Sequence, residues 1–595
     1  MNKIIKTGIF AFAAVAFVSC DDVFEPSPEN NLPEEYIGKS AKYAQNVLGN
    51  VYAFMPSFDV FNLSEAATDD AVSNDANDSW RRIASGSWTA SFNPMNRWEN
   101  SRNCIQYCNL LLKHIEEVEW AKDEEANKCF HDRFYAETRA LRGMLMYNLL
   151  QAHAGVDASG NLLGVPIVEV FEDATSNFNV PRNTFRECYD AMMEDFSEAL
   201  KYLPSSFKSY DAYNDPASLA ELQKLYPGIS EGVANRVFGE GFMGRMSGQI
   251  VNAFISRASL LAASPAFNAS GVTWDEAANN AAKVLDVIGG VSGMDMNGAT
   301  WYCDPAMENL EAGNCPPEVI WRTEKGESRD REQKYFPPTL EGKGYINPTQ
   351  NLVDAFPMEN GYPITDPRSG YDPQNPYAGR DQRFYDYIVY NGSRVGVQNA
   401  EINTSVDTRE NGGTDDGIDK IATSTRTGYY MKKHLRMDVN TLNSSPVNKF
   451  HYTARLRYTE FFLNFAEAAN EAWGPLDSRK GYSAYDVIKA LRSRAFLGLD
   501  NGDEYLESIK GDKDKMRELI RNERRLELCF EGFRFYDLRR WKAELNEVAK
   551  GMRIEGGVYT PFNVDTRNFK DYMIYGPIPY SEVLKFGNLQ QNAGW

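Results

Sequence analysis

The spacing of apolar positions along this chain predicts helices over most of its length. In 134–153, Phe134, Thr138, Leu141, Leu145 and Leu149 recur at three- and four-residue steps and form one stripe, the period of a helix face. A second stripe, Ala136, Ala140, Gly143 and Tyr147, is mostly small. Small residues let a neighbouring helix approach closely, as in helical hairpins of the tetratricopeptide type. Tyr458, Phe461, Phe462, Phe465 and Ala469 repeat the pattern. The same reading predicts helices over 36–54, 97–119, 123–153, 184–203, 244–264, 274–289, 450–473, 483–497 and 512–531. No strict period of about 34 residues emerges, and helical pairs stacked into a curved scaffold account for the pattern best. Between 290 and 445 the periodicity gives way to Gly, Pro, Asn and Tyr clusters, with short strand-like runs such as Tyr387-Ile388-Val389-Tyr390. Functional loops concentrate in such stretches. The expected fold is mainly α: a tetratricopeptide-like helical-hairpin scaffold with long irregular loop insertions and a few short strands.

The run 519–541 is the densest. Leu519, Leu526, Cys529, Phe530 and Phe533 share one helical face while Arg and Glu crowd the rest. Gly532 suits a helix C-terminal stop. Arg534 and Arg540 each lie three residues from Asp537, within pairing reach. So many charges beside so many aromatics predict a docked helix whose ions are paired across a packing seam, with no catalytic group standing out.

At the N-terminus, Lys3 and Lys6 precede an apolar run from Ile9 to Val18, then Ser19 and Cys20. This reads as a secretory signal over 1–19, too short to span a bilayer as a mature helix. Phe17-Val18-Ser19-Cys20 looks like a lipoprotein box, with Phe17 where Leu is usual. Acyl chains on Cys20 would anchor the protein stably. The segment 20–35, rich in Pro, Glu and Asn, reads as a lipidated tether. The remainder, 36–595, is taken as one domain: a scaffold over about 36–289 and 450–545, a loop-rich insertion over about 290–449, and a C-terminal tail over 546–595.

A formal net charge of −20 over 595 residues disfavours nucleic acid as a partner, which needs a basic footprint. Aromatics reach 13%, more than one core needs, and flat rings suit both loops and sugar faces. Of eight cysteines, seven remain if Cys20 is lipidated. Cys303 and Cys315 flank a loop and could close it. Cys104, Cys108, Cys129 and His131 match no strong zinc spacing, and no metal or cofactor is expected. Gly228-Ile229-Ser230-Glu231-Gly232 has the nucleophile-elbow spacing but lacks a preceding strand. With 83 acidic residues, carboxylate pairs of the glycosidase kind can be found anywhere and point nowhere. Asp415, Asp416 and Asp419 do not have the spacing of a calcium loop and read as a solvated acidic turn.

Two sets combine the groups that a sugar requires, namely bidentate hydrogen-bonding side chains and a stacking ring. Asp69, Asp70, Asn74, Asp75, Asn77, Asp78, Trp80 and Arg81, followed by Trp88, form the first. Trp301, Tyr302, Asp304 and Trp321 form the second. Each tryptophan equally suits the cap of a local core.

The run from Arg521 to Trp541 closely resembles the C-terminal signature of the RagB/SusD family, the surface glycan-binding lipoproteins. Tyr135-Ala136-Glu137-Thr138-Arg139-Ala140-Leu141-Arg142 resembles its second helix, and Arg457 to Ala468 its later repeat helix. Asn351 to Met358, Gly361 to Ile364 and Arg380 to Tyr385 resemble its central loops, and Gly576 to Val583 its tail. In this order the markers cover the chain from residue 17 onward. The resemblance implies a non-enzymatic outer-membrane lipoprotein facing the cell exterior, with Asp21 and Asp22 resembling the export mark. It implies an oligosaccharide or polysaccharide ligand and a SusC-like TonB-dependent transporter as partner, with no nucleic acid. It also places the glycan site on loops carried by the scaffold, without naming residues. Two rivals stay open: a peptide-binding lid of such a transporter, and a surface glycoside hydrolase.

Overall fold

The computed structural model describes residues 34–56, 61, 63–209, 211–407 and 413–595. The expected signal, Cys20 and nearly all of the tether lie outside these. Among the described residues, nine helices carry the scaffold: α1 (Ala41–Phe54), α2 (Trp98–His114), α3 (Glu124–His153), α4 (Phe185–Leu200), α5 (Gly248–Ala263), α6 (Trp274–Asp286), α7 (Tyr458–Trp473), α8 (Ala484–Arg494) and α9 (Lys513–Glu527). Through α7, each packs on the next, and α7 then meets both α8 and α9. This is the stacked-hairpin order of a helical repeat protein.

Local chemistry sets the helix starts. Ser40, Asp123, Thr184, Ser247, Thr273, Ser483 and Asp512 each accept a backbone N–H from the first turn, contributing about 1 kcal/mol apiece. Thr184 with Glu187 and Ser483 with Asp486 complete capping boxes. Small residues set the spacing between helices. A Cβ at Gly143 of α3 would lie 2.7 Å from the Phe196 ring of α4, so only glycine permits that approach. Where α6 meets α7, buried Ala277, Ala278, Ala281 and Ala282 play the same part.

The insertion leaves after α6 and returns into α7, holding short strands and short helices such as Asp330–Tyr335, Gln350–Ala355 and Gln382–Tyr387. Three antiparallel pairs matter below. They are β1 (Ala71–Ser73) with β3 (Ile346–Pro348), β2 (Val319–Arg322) with β4 (Ala454–Arg457), and the hairpin β5 (Ala549–Glu555) with β6 (Val558–Asp565). A second apolar core lies beneath the insertion, separate from that of the scaffold. No helix among the described residues is long and apolar enough to cross a membrane.

Several boundaries depart from the expectation. The predicted helix over 450–473 begins only at Tyr458, because Ala454–Arg457 pairs with β2 as a strand. The predicted helix over 512–531 ends at Glu527. Phe530 (φ 61°) and Gly532 (φ 80°) take the left-handed conformation, and the chain turns there into a further helix, α10 (Arg534–Arg540). The tail holds the β5–β6 hairpin, whose turn is made by Gly556 (φ 54°) and Gly557 (φ 79°), the pairing favoured in tight hairpins. Cys303 and Cys315 are free thiols and do not close their loop.

Most ions around α9 are paired in a buried seam, as the charge pattern predicts, while Arg521 lies over the Trp541 ring. Arg383 meets Asp381 at 2.7 Å, Glu523 at 2.8 Å and Glu527 at 2.9 Å. Arg492 meets Glu523 at 2.9 Å and Asp503 at 2.6 Å, and Arg494 meets Glu527 at 2.8 Å. Arg540 pairs with Asp537 at 2.7 Å, whereas Arg534 turns away to Asp69. Removing one member of such a buried group leaves the others uncompensated and costs about 3–5 kcal/mol.

Candidate functional site

The first predicted set is absorbed into this framework. Arg525 meets Asp69 at 2.8 Å and Asp70 at 2.6 Å, and Arg534 meets Asp69 at 2.8 Å. Burial would raise the Asp69 carboxyl, but Arg525 and Arg534 outweigh it and hold it well below the usual range. Asp78 caps a short helix, accepting the Arg81 N–H at 2.7 Å and the Tyr345 hydroxyl at 2.8 Å. The Arg81 guanidinium donates to the Ser73 carbonyl at 3.1 Å. Trp80 is 5% exposed, edge-on to Phe535 with centroids 4.9 Å apart. Trp88 is 3% exposed, against Phe535, Phe569 and Trp595. Neither has an open ring face.

The second set divides. Trp301 stacks on Tyr452 at 5.4 Å, and Tyr302 is buried with its hydroxyl donating to the Asp386 carbonyl. Trp321 donates its Nε1–H to the Gly244 carbonyl at 2.8 Å. Trp301 and Trp321 both reach the wall of one cleft; Tyr302 and the 69–88 residues do not line it.

The other motifs resolve as structure. Ser230 is the N-cap of a helix over Glu231–Phe238 and donates its hydroxyl to Glu125. His131 is engaged by Asp132 and Glu116. Asp416 accepts the Thr339 N–H and hydroxyl.

The cleft, about 130 Å³ in volume, lies where α3, α5 and β4 meet the turn between α9 and α10. Its partly exposed polar and aromatic groups are Arg97, Gln151, Arg257, Arg455, Phe533 and Tyr536. Gly532 separates the two aromatic positions from the seam, and its N–H donates to buried Glu65 at 2.7 Å. Burial pushes the Glu65 carboxyl up to about 7. Arg97 donates to Gln151 at 2.7 Å, to Asn148 at 3.3 Å and to the Tyr536 hydroxyl at 3.2 Å. Arg257 forms two 2.6 Å bonds with Glu460 and donates to the Arg455 carbonyl at 3.0 Å. The Arg455 guanidinium lies 4.8 Å from the Trp321 ring centroid. His434, at the cleft wall, is pushed down to about 3 by burial and in its neutral form donates Nε2–H to the Phe530 carbonyl at 2.9 Å. Rings beside guanidinium and amide groups suit a polyhydroxylated ligand, held by a few placed polar contacts.

Sequence reading missed Arg97, Gln151, Arg257, Arg455 and Tyr536 as site residues, and it assigned Phe533 to the apolar face of a helix. They come from five separate segments. The one available signal was the break at Gly532, which frees Phe533 and Tyr536 from the stripe before it.

The architecture is thus a helical-hairpin scaffold carrying a loop-rich insertion, with a ring-flanked polar cleft between them. Residues 317–595 match the SusD family model, and 24–226 match the model described as starch-binding associating with outer membrane. The chain belongs to the SusD/RagB family. A SusD-like protein of Bacteroides fragilis superposes with a TM-score of 0.69 at 23% identity, covering 96% of this chain and 100% of that one. A SusD-like carbohydrate binding protein of the same species gives 0.66 at 22% identity, over 93% and 100%. A laminarin binding SusD-like protein gives 0.53 at 19%, over 93% and 99%. At such identities these likenesses show the fold alone. SusD-like protein P25 of Formosa agariphila is 32% identical over 155 residues, 26% of each chain. The chain thus spans about a quarter of the length of the curated relatives it matches.

Proposed function

We propose that this chain captures an oligosaccharide in the cleft beside Gly532, leaves its bonds intact, and passes it to a SusC-like TonB-dependent outer-membrane transporter. The observation that carries this reading is the grouping of Phe533 and Tyr536 with the donors Arg97 and Gln151. Rings stack on the C–H faces of a sugar, while guanidinium and amide groups bridge neighbouring hydroxyls. Trp301 and Trp321 supply the wall behind them. The names of relatives that bind carbohydrate or laminarin support it, and so does the outer-membrane association in one family description. Lipidation at Cys20 would hold the cleft at the membrane, facing the exterior. The paired residues Asp69, Asp70, Asp78, Arg81, Trp80, Trp88 and Tyr302 serve this site indirectly, by fixing the loops around it.

Affinity electrophoresis through polysaccharide gels tests the reading. Wild-type protein is retarded by its cognate glycan without producing new reducing ends, and Tyr536→Ala with Phe533→Ala abolishes the retardation. Full retention of the double variant, or release of reducing ends, would remove this reading.

A further inference from the structure

Six arginines line the cleft against three carboxylates, in a chain whose net charge is −20. Four of the six are matched. Arg257 pairs with Glu460, Arg457 with Glu531, and Arg524 and Arg540 share Asp537. Arg97 and Arg455 have no carboxylate partner among the described residues. Arg97 meets only neutral acceptors. The Arg455 side chain lies over Trp321 and makes no hydrogen bond among the described residues.

A guanidinium is charged at every physiological pH and presents its donors in a planar fork that matches carboxylate and sulfate oxygens. Partly burying one without a partner is costly, unless a ligand supplies the missing charge. The excess is also local. An acidic surface repels anions at long range, so a positive cleft within it acts as a selective recess rather than a general attractor. We propose that the cleft selects an anionic glycan, one bearing carboxylate or sulfate groups that Arg455 and Arg97 bind. This rests on the oligosaccharide reading above and narrows it.

Calorimetric titration of the full chain with three oligomers of matched length decides the matter: a galacturonate oligomer, a sulfated galactan oligomer and an uncharged β-glucan oligomer. The expected result is that at least one anionic oligomer binds roughly tenfold or more tightly than the uncharged one, the ratio that one charge-assisted hydrogen bond supplies. That preference shrinks as salt rises. Which anionic arm wins separates carboxylate from sulfate. Arg455→Gln erases most of the preference, and Arg455→Lys keeps part of it. An uncharged oligomer that binds as tightly as both anionic ones overturns the inference while leaving the oligosaccharide reading in place. No binding in any arm or across a neutral polysaccharide panel overturns both. If Arg455→Gln does not fold, Arg97→Gln and the salt dependence of the wild type decide; a salt-independent preference, unchanged in Arg97→Gln, overturns the assignment.

Discussion

In the seam around α9, Arg383 has three carboxylates within 2.9 Å; in the adjoining cleft, Arg455 has a tryptophan ring and no carboxylate among the described residues. Both regions are rich in arginine and aromatic rings, and both involve the same stretch of chain from α9 to α10. The difference lies in the matching of charge. In the seam Arg383, Arg492 and Arg494 each meet carboxylates, and these pairs hold the insertion onto the scaffold. Where the match fails, the surplus charge is open to a ligand. The seam and the cleft meet at Glu65 and Gly532, whose hydrogen bond fixes the turn that carries Phe533.

The largest expected effect breaks the seam. Arg383→Met strips Asp381 of its guanidinium partner and weakens the set around Glu523 and Glu527, for a loss of about 3–5 kcal/mol in urea unfolding. Arg455→Gln, by contrast, should cost less than about 1 kcal/mol, as for other partly exposed polar sites. Equal losses for the two would erase the distinction between seam and cleft.

Trp80→Ala comes next. The ring is buried against Phe535, and truncating a core tryptophan costs about 3–5 kcal/mol. Folded Trp80→Ala protein should nevertheless retain its glycan affinity. Lost binding at unchanged structure would return this residue to the site.

Glu65 sharpens the boundary between the two regions through pH. Its carboxyl, raised by burial from 4.5 to about 7 with Asp70 and Glu531 adding to the rise, favours the protonated form in the folded state. Its contribution is therefore complete below about pH 4.5 and is lost as pH rises through about 7. The span corresponds to roughly 3 kcal/mol at most. Glu65→Gln should flatten the unfolding midpoint across this window. A slope identical to wild type would show that Glu65 is already ionised in the folded chain.

Much of the scaffold was legible because it is local. The stripes at Phe134, Leu141, Leu145 and Leu149 and at Phe461 and Phe465 are buried, with Tyr458 half-buried beside them, and predicted helix limits fall within a few residues at most caps. Two segments were misread, the first for a non-local reason and the second at a backbone turn. Ala454–Arg457 is a strand only because β2 pairs with it. The 512–531 helix stops early because Phe530 and Gly532 turn the chain. The cleft was the least legible part. Tryptophan and clustered acids drew attention to 69–88, yet those groups satisfy one another or fill a core. The partly exposed rings and polar groups of the cleft come from positions 97, 151, 257, 455, 533 and 536, and beyond the break at Gly532 no local pattern joins them.

Apolar period, capping residues and small side chains were enough to determine a stacked helical scaffold, since each acts within a few residues of itself. Whether a given arginine ends beside a carboxylate or beside open water was decided only by folding. Charge pairing joins positions as distant as Asp69 and Arg534, and the surplus left at Arg97 and Arg455 exists only once every other pair has formed.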